Sequence, residues 1–167
     1  MTLIVCPLHE AQGQLVRSRP ARIISLLSPD QEPPTAPLGV PQLVLRFHDI
    51  TEPREGLIAP DRAMIADLLA FGAAWDEPGP LLIHCWMGVS RSPAAALVLA
   101  CALNPARDEA ELAAALRQAS PIATPNPMMI ALADDLLGRE RRLIAAAARI
   151  GRGVDAPHGS GFRLAAR

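Results

Sequence analysis

The chain is predicted to fold as an α/β domain with a small, mainly parallel sheet flanked by helices. Three observations predict it. Short apolar runs of strand length alternate with longer runs of helical spacing as far as about residue 150. The run Leu81-Leu82-Ile83 is apolar on consecutive positions, as in a central parallel strand covered on both faces. The run Ala94 to Leu103 is apolar nearly all round, which marks a helix buried at the centre of the fold.

The elements follow in order. Leu3 to Leu8 reads as the first strand, with Cys6 in it, then Ala11 to Arg19 as a short helix and Ala21 to Leu27 as a second strand. Ser28 to Pro41 carries Pro29, Pro33, Pro34, Pro37, Gly39 and Pro41, a density that no helix or inner strand tolerates. It is a surface connection or a loop facing substrate at the mouth of a site. Gln42 to Phe47 forms the third strand and runs into His48-Asp49-Ile50-Thr51-Glu52-Pro53. Asp61 to Trp75 places Met64, Ile65, Leu68, Leu69 and Phe71 on the stripe of a helix packed against a sheet, and Trp75 to Pro80 breaks it. After the strand to Cys85 and the buried helix, Asn104-Pro105 ends the latter. Asp108 to Ala119 is a helix with acids in its first turn, Ser120 to Pro127 a stiff loop, and Met128 to Leu137 a further helix. Arg139-Glu140-Arg141-Arg142 reads as a solvated face ahead of Leu143 to Ile150. From Gly151 to Arg167, glycine, arginine and isolated hydrophobics predict a flexible C-terminal tail, which leaves residues 1–150 as a single domain.

The stretch His84-Cys85-Trp86-Met87-Gly88-Val89-Ser90-Arg91-Ser92 joins the central strand to the buried helix, and Pro93 suits that helix's first turn. Strand, tight loop and helix together aim backbone N–H groups and the positive end of the helix dipole at one point. A dianion or a thiolate is stabilised there without a metal. Arg91 adds a planar fork that grips two phosphate oxygens at once. An inert buried cysteine requires none of these neighbours. Cys85 is therefore read as a nucleophile, and Trp86, Met87, Gly88, Val89, Ser90 and Arg91 as its phosphate cradle. Cys6 and Cys101 have no arginine or histidine beside them and read as buried structural thiols.

The pattern H-C-x-x-G-x-S-R-S resembles the active-site signature of the cysteine-dependent protein tyrosine phosphatase superfamily, specifically its dual-specificity-like branch of bacterial type. The resemblance covers roughly Leu3 to Leu137, and the cradle is its specific part. It implies a phosphatase-like fold with the phosphate loop between a central strand and a buried helix, and hydrolysis of phosphomonoesters through a phosphocysteine. It also supports Asp49 as the general acid. Such an aspartate lies after a strand and before a helix, ahead of the cysteine, and Asp49 stands 36 residues before Cys85. A carboxylic acid on a loop at a strand end can reach over the cradle to protonate the leaving oxygen. Its rivals are Asp61, which reads as a first-turn charge, and Asp76, which lies in the turn before the central strand. Ser92 can donate a hydrogen bond to the sulfur, and His84 orients the loop. The family carries an asparagine after a proline ahead of its last core helix that helps brace the loop, which implies this role for Asn126. The residue type alone equally suits a helix N-cap.

Composition narrows the partners. Half of the residues are hydrophobic and a fifth are charged, so a folded domain is expected. The net charge of −1 argues against nucleic acid or an anionic membrane as partner. The longest apolar run is too short to cross a bilayer, and three cysteines without metal-like spacing suit free thiols in the cytoplasm. No metal or cofactor is expected, and the oligomeric state is left open. The cradle interior holds no lysine, which favours a phosphotyrosine or phosphothreonine protein or a small aryl phosphate over a polyphosphorylated inositol. Two other classes stay open: a phosphate-binding module with little turnover, and a thiol redox or arsenate-reductase-like enzyme, which requires a resolving thiol.

Overall fold

In a computed structural model describing residues 1–166, five strands and six helices follow one another as β1 Thr2–Pro7, α1 Leu8–Ser18, β2 Arg22–Leu27, β3 Gln42–Arg46, α2 Arg62–Ala73, β4 Leu81–Cys85, α3 Arg91–Leu103, α4 Glu109–Ala119, α5 Pro127–Leu136, α6 Arg142–Ile150 and β5 Phe162–Ala165. The sheet order is β3-β2-β4-β1-β5. The first four strands in that order are parallel, and β5 is antiparallel to β1. Every residue of β4 is buried, as its unbroken apolar run predicts for a strand between two neighbours and two helical layers.

Alternation along the strands sorts the core into two layers. Ile4, Cys6, Ile23 and Leu82 pack with Ala11 and Leu15 of α1 on one face. Leu3, Val5, Ile24, Leu26, Leu81 and Ile83 pack on the other against α3, whose residues Ala94 to Cys101 are all buried. Helices α2, α4 and α5 surround α3, and α6 packs on α4 and α5. The layering sets the loop after β4 at the carboxyl ends of the parallel strands, where such sheets present ligand sites.

Four expectations are corrected. Helix α1 starts at Leu8, directly after β1, because the chain turns at Pro7 without a connecting loop. Asp61 is the N-cap of α2, its carboxylate accepting from Met64 N at 2.8 Å. The charged run at 139–142 is not a solvated face throughout: Arg139 is buried, pairs with buried Glu109 at 3.2 Å and donates to the carbonyls of Cys101 and Pro105. The C-terminal segment is not a loose tail over its whole length. Phe162 and Leu164 alternate with exposed Arg163 and Ala165 in a period of two, too brief a pattern to stand out among glycines, and form an edge strand. The segment before it is also tied down: Gly153 N donates to Thr124 Oγ1, Val154 N to Pro121 O, Gly159 N to Met87 O and Gly161 N to Glu10 Oε2. Among the described residues no helix is long and apolar enough to cross a membrane.

Candidate active site

The loop from Cys85 to Arg91 has its carbonyls tied to the chain around it. Trp86 O accepts from Leu8 N at 3.2 Å, Met87 O from Gly159 N at 2.7 Å, Val89 O from Thr124 N at 2.8 Å and Ser90 O from Asn126 N at 3.4 Å. A trans peptide holds its N–H opposite its carbonyl. The N–H groups of Met87, Gly88, Ser90 and Arg91 therefore face inward. Gly88 N donates to Cys85 Sγ at 3.2 Å, and the Ser92 hydroxyl lies 3.1 Å from the same sulfur. Gly88 has a φ of +71°, and a Cβ there would sit 2.8 Å from Pro7 N, so both backbone conformation and close packing against β1 require glycine.

Ser90 occupies the N-cap position of α3, yet its hydroxyl caps no helix N–H. It donates to Asp49 Oδ1 at 2.7 Å instead. The first-turn N–H groups of α3 are thereby left for a ligand, at the positive end of the dipole.

Arg91 is the first residue of α3, and its side chain is only 4% exposed. One end of the guanidinium is anchored, Nη1 donating to Phe47 O at 2.8 Å and to Ser28 Oγ at 3.4 Å, with the Phe47 ring 5.8 Å from its carbon. Nε has no hydrogen-bond partner among the described residues and lies 4.0 Å from Asp49 Oδ2. A buried donor without an acceptor is costly and uncommon. The anchored arginine leaves that donor free to meet an acceptor.

Asp49 stands in the loop after β3. Its Oδ1 accepts from both Ser90 Oγ and Asn126 Nδ2, the latter at 2.8 Å, while Oδ2 faces Arg91. Asn126 makes two kinds of contact. Its Oδ1 caps α5 by accepting from Met129 N, and its Nδ2 holds Asp49 and the carbonyl of Ile50. The structure thus brings Arg91, Ser90, Asp49 and Asn126 into one set of contacts, while Cys85 and Ser92 contact each other across the same loop. Asp61 lies outside it as a helix cap.

The fold has counterparts among solved structures. Human DUSP28 matches with a TM-score of 0.63 at 23% identity, covering 83% of this chain and 90% of that one. A mouse putative dual specificity phosphatase complexed with zinc tungstate matches with a TM-score of 0.63 at 22% identity, covering 86% of each chain. The chain has the dual-specificity phosphatase fold. The Yvh1 phosphatase domain from Chaetomium thermophilum also shares it, with a TM-score of 0.59 at 19% identity over 84% of this chain and 93% of that one. No protein-family model and no curated protein sequence matches the chain.

Within this dual-specificity phosphatase fold, the parallel register sets Ser25 of β2 opposite His84 of β4. Their Oγ and Nε2 atoms are 2.6 Å apart, and Gln42 of β3 donates to the same hydroxyl at 3.0 Å. Burial pushes the His84 imidazole down to about 4, so the ring is neutral at ordinary pH. Its hydrogen bond ties β4 to β2 directly behind Cys85. Burial pushes the thiols of Cys6 and Cys101 up to about 12, which keeps both protonated at ordinary pH. Sequence reasoning missed Ser25, Ser28, Gln42 and the Phe47 carbonyl. Ser25 gave the one available signal, a hydroxyl inside an otherwise apolar strand; Ser28 and Phe47 flank strand ends, where polar and aromatic residues are unremarkable in sequence.

Proposed function

We propose that the chain is a cysteine-dependent phosphomonoester hydrolase acting through a phosphocysteine. The observation that carries the reading is the convergence on Cys85 Sγ of the Gly88 N–H and the Ser92 hydroxyl, in a loop whose buried arginine keeps a donor unpaired. The Cys85 thiolate attacks phosphorus as the ester P–O bond breaks, and the P–S bond forms. Arg91 and the inward N–H groups hold the equatorial oxygens and favour the transition state where the fit tightens. The Asp49 carboxylic acid gives its proton to the departing oxygen. The resulting carboxylate then takes a proton from water, whose oxygen attacks phosphorus and releases the thiolate and inorganic phosphate. The Ser92 hydroxyl, bonded to Sγ, stabilises the leaving sulfur in this second step.

The lining of the cradle supports phosphotyrosine or phosphothreonine proteins, or small aryl phosphates, as substrates, since Trp86, Met87, Gly88, Val89 and Ser90 bring no cation beyond Arg91. A structure of PTPMT1 in the same fold holds PI(5)P, so the fold itself does not decide the substrate. Three free, buried cysteines suit a reducing compartment, and we place the protein in the cytoplasm. The test is a phosphatase panel run with the intact protein and with Cys85→Ser. Complete loss of turnover in the variant with retained phosphopeptide binding is expected; turnover that survives the substitution, or faster release from an inositol polyphosphate than from phosphotyrosine, would overturn the corresponding part of the proposal.

A further inference from the structure

The loop that carries Asp49 runs from the end of β3 to Pro60 without helix or strand, and every residue from Thr51 to Ile58 is exposed. Packing therefore does little to fix its course. Hydrogen bonds fix it instead, and His48 makes them at both backbone atoms and at its ring. His48 N donates to Ile58 O at 2.8 Å, His48 O accepts from Ile50 N at 3.0 Å, and the ring accepts from Ile58 N at Nδ1, at 2.9 Å. Residues 49–57 are thereby closed into a ring of chain whose clasp is a side chain. A backbone amide always carries its proton, so Nδ1 of the clasp carries none, and the hydrogen of the neutral imidazole sits on Nε2.

Asp49 stands between a rigid limb and a loose one. On the rigid side Phe47 is buried, with its N–H bonded to Leu27 O and its carbonyl held by Arg91. Ser90 and Asn126 hold the Asp49 carboxyl group, and Asn126 also holds the Ile50 carbonyl. Beyond Ile50, the backbone hydrogen bonds of the loop among the described residues are a turn from Leu57 N to Arg54 O, at 3.1 Å, and the two with His48. We propose that His48 is a positioning residue for the general acid, its Nδ1 clasping the loop at Ile58 and so setting where Asp49 presents Oδ2 beside Arg91. The proposal rests on the phosphatase reading above and on Asp49 as its acid. His48 adjoins Asp49 in sequence, so a shift of the clasp turns the peptide that bears the acid. Alanine at this position removes the acceptor. Asparagine keeps one, because its Oδ1 stands about as far along the side chain as Nδ1 does.

Steady-state kinetics of the intact protein with phenyl and p-nitrophenyl phosphate tests the role. His48→Ala should lower kcat on phenyl phosphate about tenfold, part of the about hundredfold that loss of a general acid costs, with KM and p-nitrophenyl phosphate turnover nearly kept. His48→Asn should restore most of the loss. In an Asp49→Ala background His48→Ala should cost nothing further, because it acts through the carboxyl group already removed. Equal losses on the two esters, no recovery in His48→Asn, or an undiminished further loss in the Asp49→Ala background would overturn the proposal. The two readings fail differently. If Asp49→Ala itself shows no leaving-group dependence, the acid assignment falls and takes the role of His48 with it; a normal Asp49→Ala response beside an inert His48→Ala overturns the role of His48 alone. The clasp also has a readout apart from turnover. Exchange of the Ile58 amide hydrogen, followed by NMR, should be slow in the wild type and in His48→Asn and faster in His48→Ala. An exchange rate that His48→Ala leaves unaltered would overturn the clasp even in a chain that hydrolyses no phosphomonoester.

Discussion

Asp49 Oδ1 accepts two hydrogen bonds, from Ser90 Oγ and Asn126 Nδ2, which leaves Oδ2 as the oxygen that can carry a transferable proton. Under the proposed mechanism this division makes Asn126 a positioning residue for the acid. Replacing Asp49 by alanine should cost about a hundredfold in kcat on phenyl phosphate, as loss of a general acid commonly does. The cost should be much smaller on p-nitrophenyl phosphate, whose leaving group departs without a proton. Asn126→Ala should reproduce the same leaving-group dependence in weaker form. Steady-state kinetics on the two esters checks both, and equal losses on the two would show that neither residue serves proton transfer. The cysteine and arginine of the site were legible in the sequence because loop, strand and helix lie within a single continuous stretch. The tie between Asp49 and Asn126 spans 77 positions and could not be read locally, so the residue type of Asn126 left brace and cap as alternatives. The amide caps α5 through Oδ1 and reaches Asp49 and the Ile50 carbonyl through Nδ2, since an asparagine presents an acceptor and donors on one planar group.

Strand pairing decides what holds the loop from behind. Ser25 and His84 meet because β2 and β4 are parallel neighbours in a register fixed by their apolar runs, and the sequence shows the runs without showing the pairing. The buried ring has a sign that can be measured. Unfolding exposes His84 and restores its ordinary value near 6.5, whereas the folded ring stays neutral down to about 4. The unfolded state therefore binds the extra proton between these pH values, and the folded state loses stability as pH falls from 6.5 toward 4. The loss from this one group reaches up to about 3 kcal/mol. Urea unfolding at a series of pH values should show a shallower acid decline in His84→Asn than in the wild type, and a His84 ring that titrates near 6.5 in the folded protein would remove the basis of this expectation. The same dependence on partners explains which elements were legible. The β4 to α3 unit and the stripe of α2 signal themselves by unbroken or periodic apolar runs. The four-residue strand β5 needs the edge of β1 to make its alternation meaningful.

At the scale of the whole molecule, the C-terminal segment links stability to the site through two separate contacts. Phe162 and Leu164 close the edge of β1 and enter the main core, while Gly159 N holds the Met87 carbonyl outward. These contacts can be broken one at a time. Phe162→Ala removes buried apolar surface on the edge strand and should cost about 3 kcal/mol of stability, with the backbone bond to Met87 retained. Gly159→Ala acts on the loop instead. A Cβ there would stand 2.9 Å from Gly88 O and 3.1 Å from Met87 O, so the loop must give way by a few tenths of an ångström. A displacement of that kind disturbs the N–H groups to which the proposed mechanism assigns the transition state. Misplacement by about 1 Å can cost about a hundredfold, and the smaller shift here should lower kcat by about tenfold with little change in melting temperature. Thermal unfolding and single-turnover kinetics on the two variants separate the effects. If Gly159→Ala lowers stability and leaves turnover intact, the segment serves the sheet alone; if each variant moves only its own quantity, the end of the chain is part of the architecture that shapes the phosphate cradle.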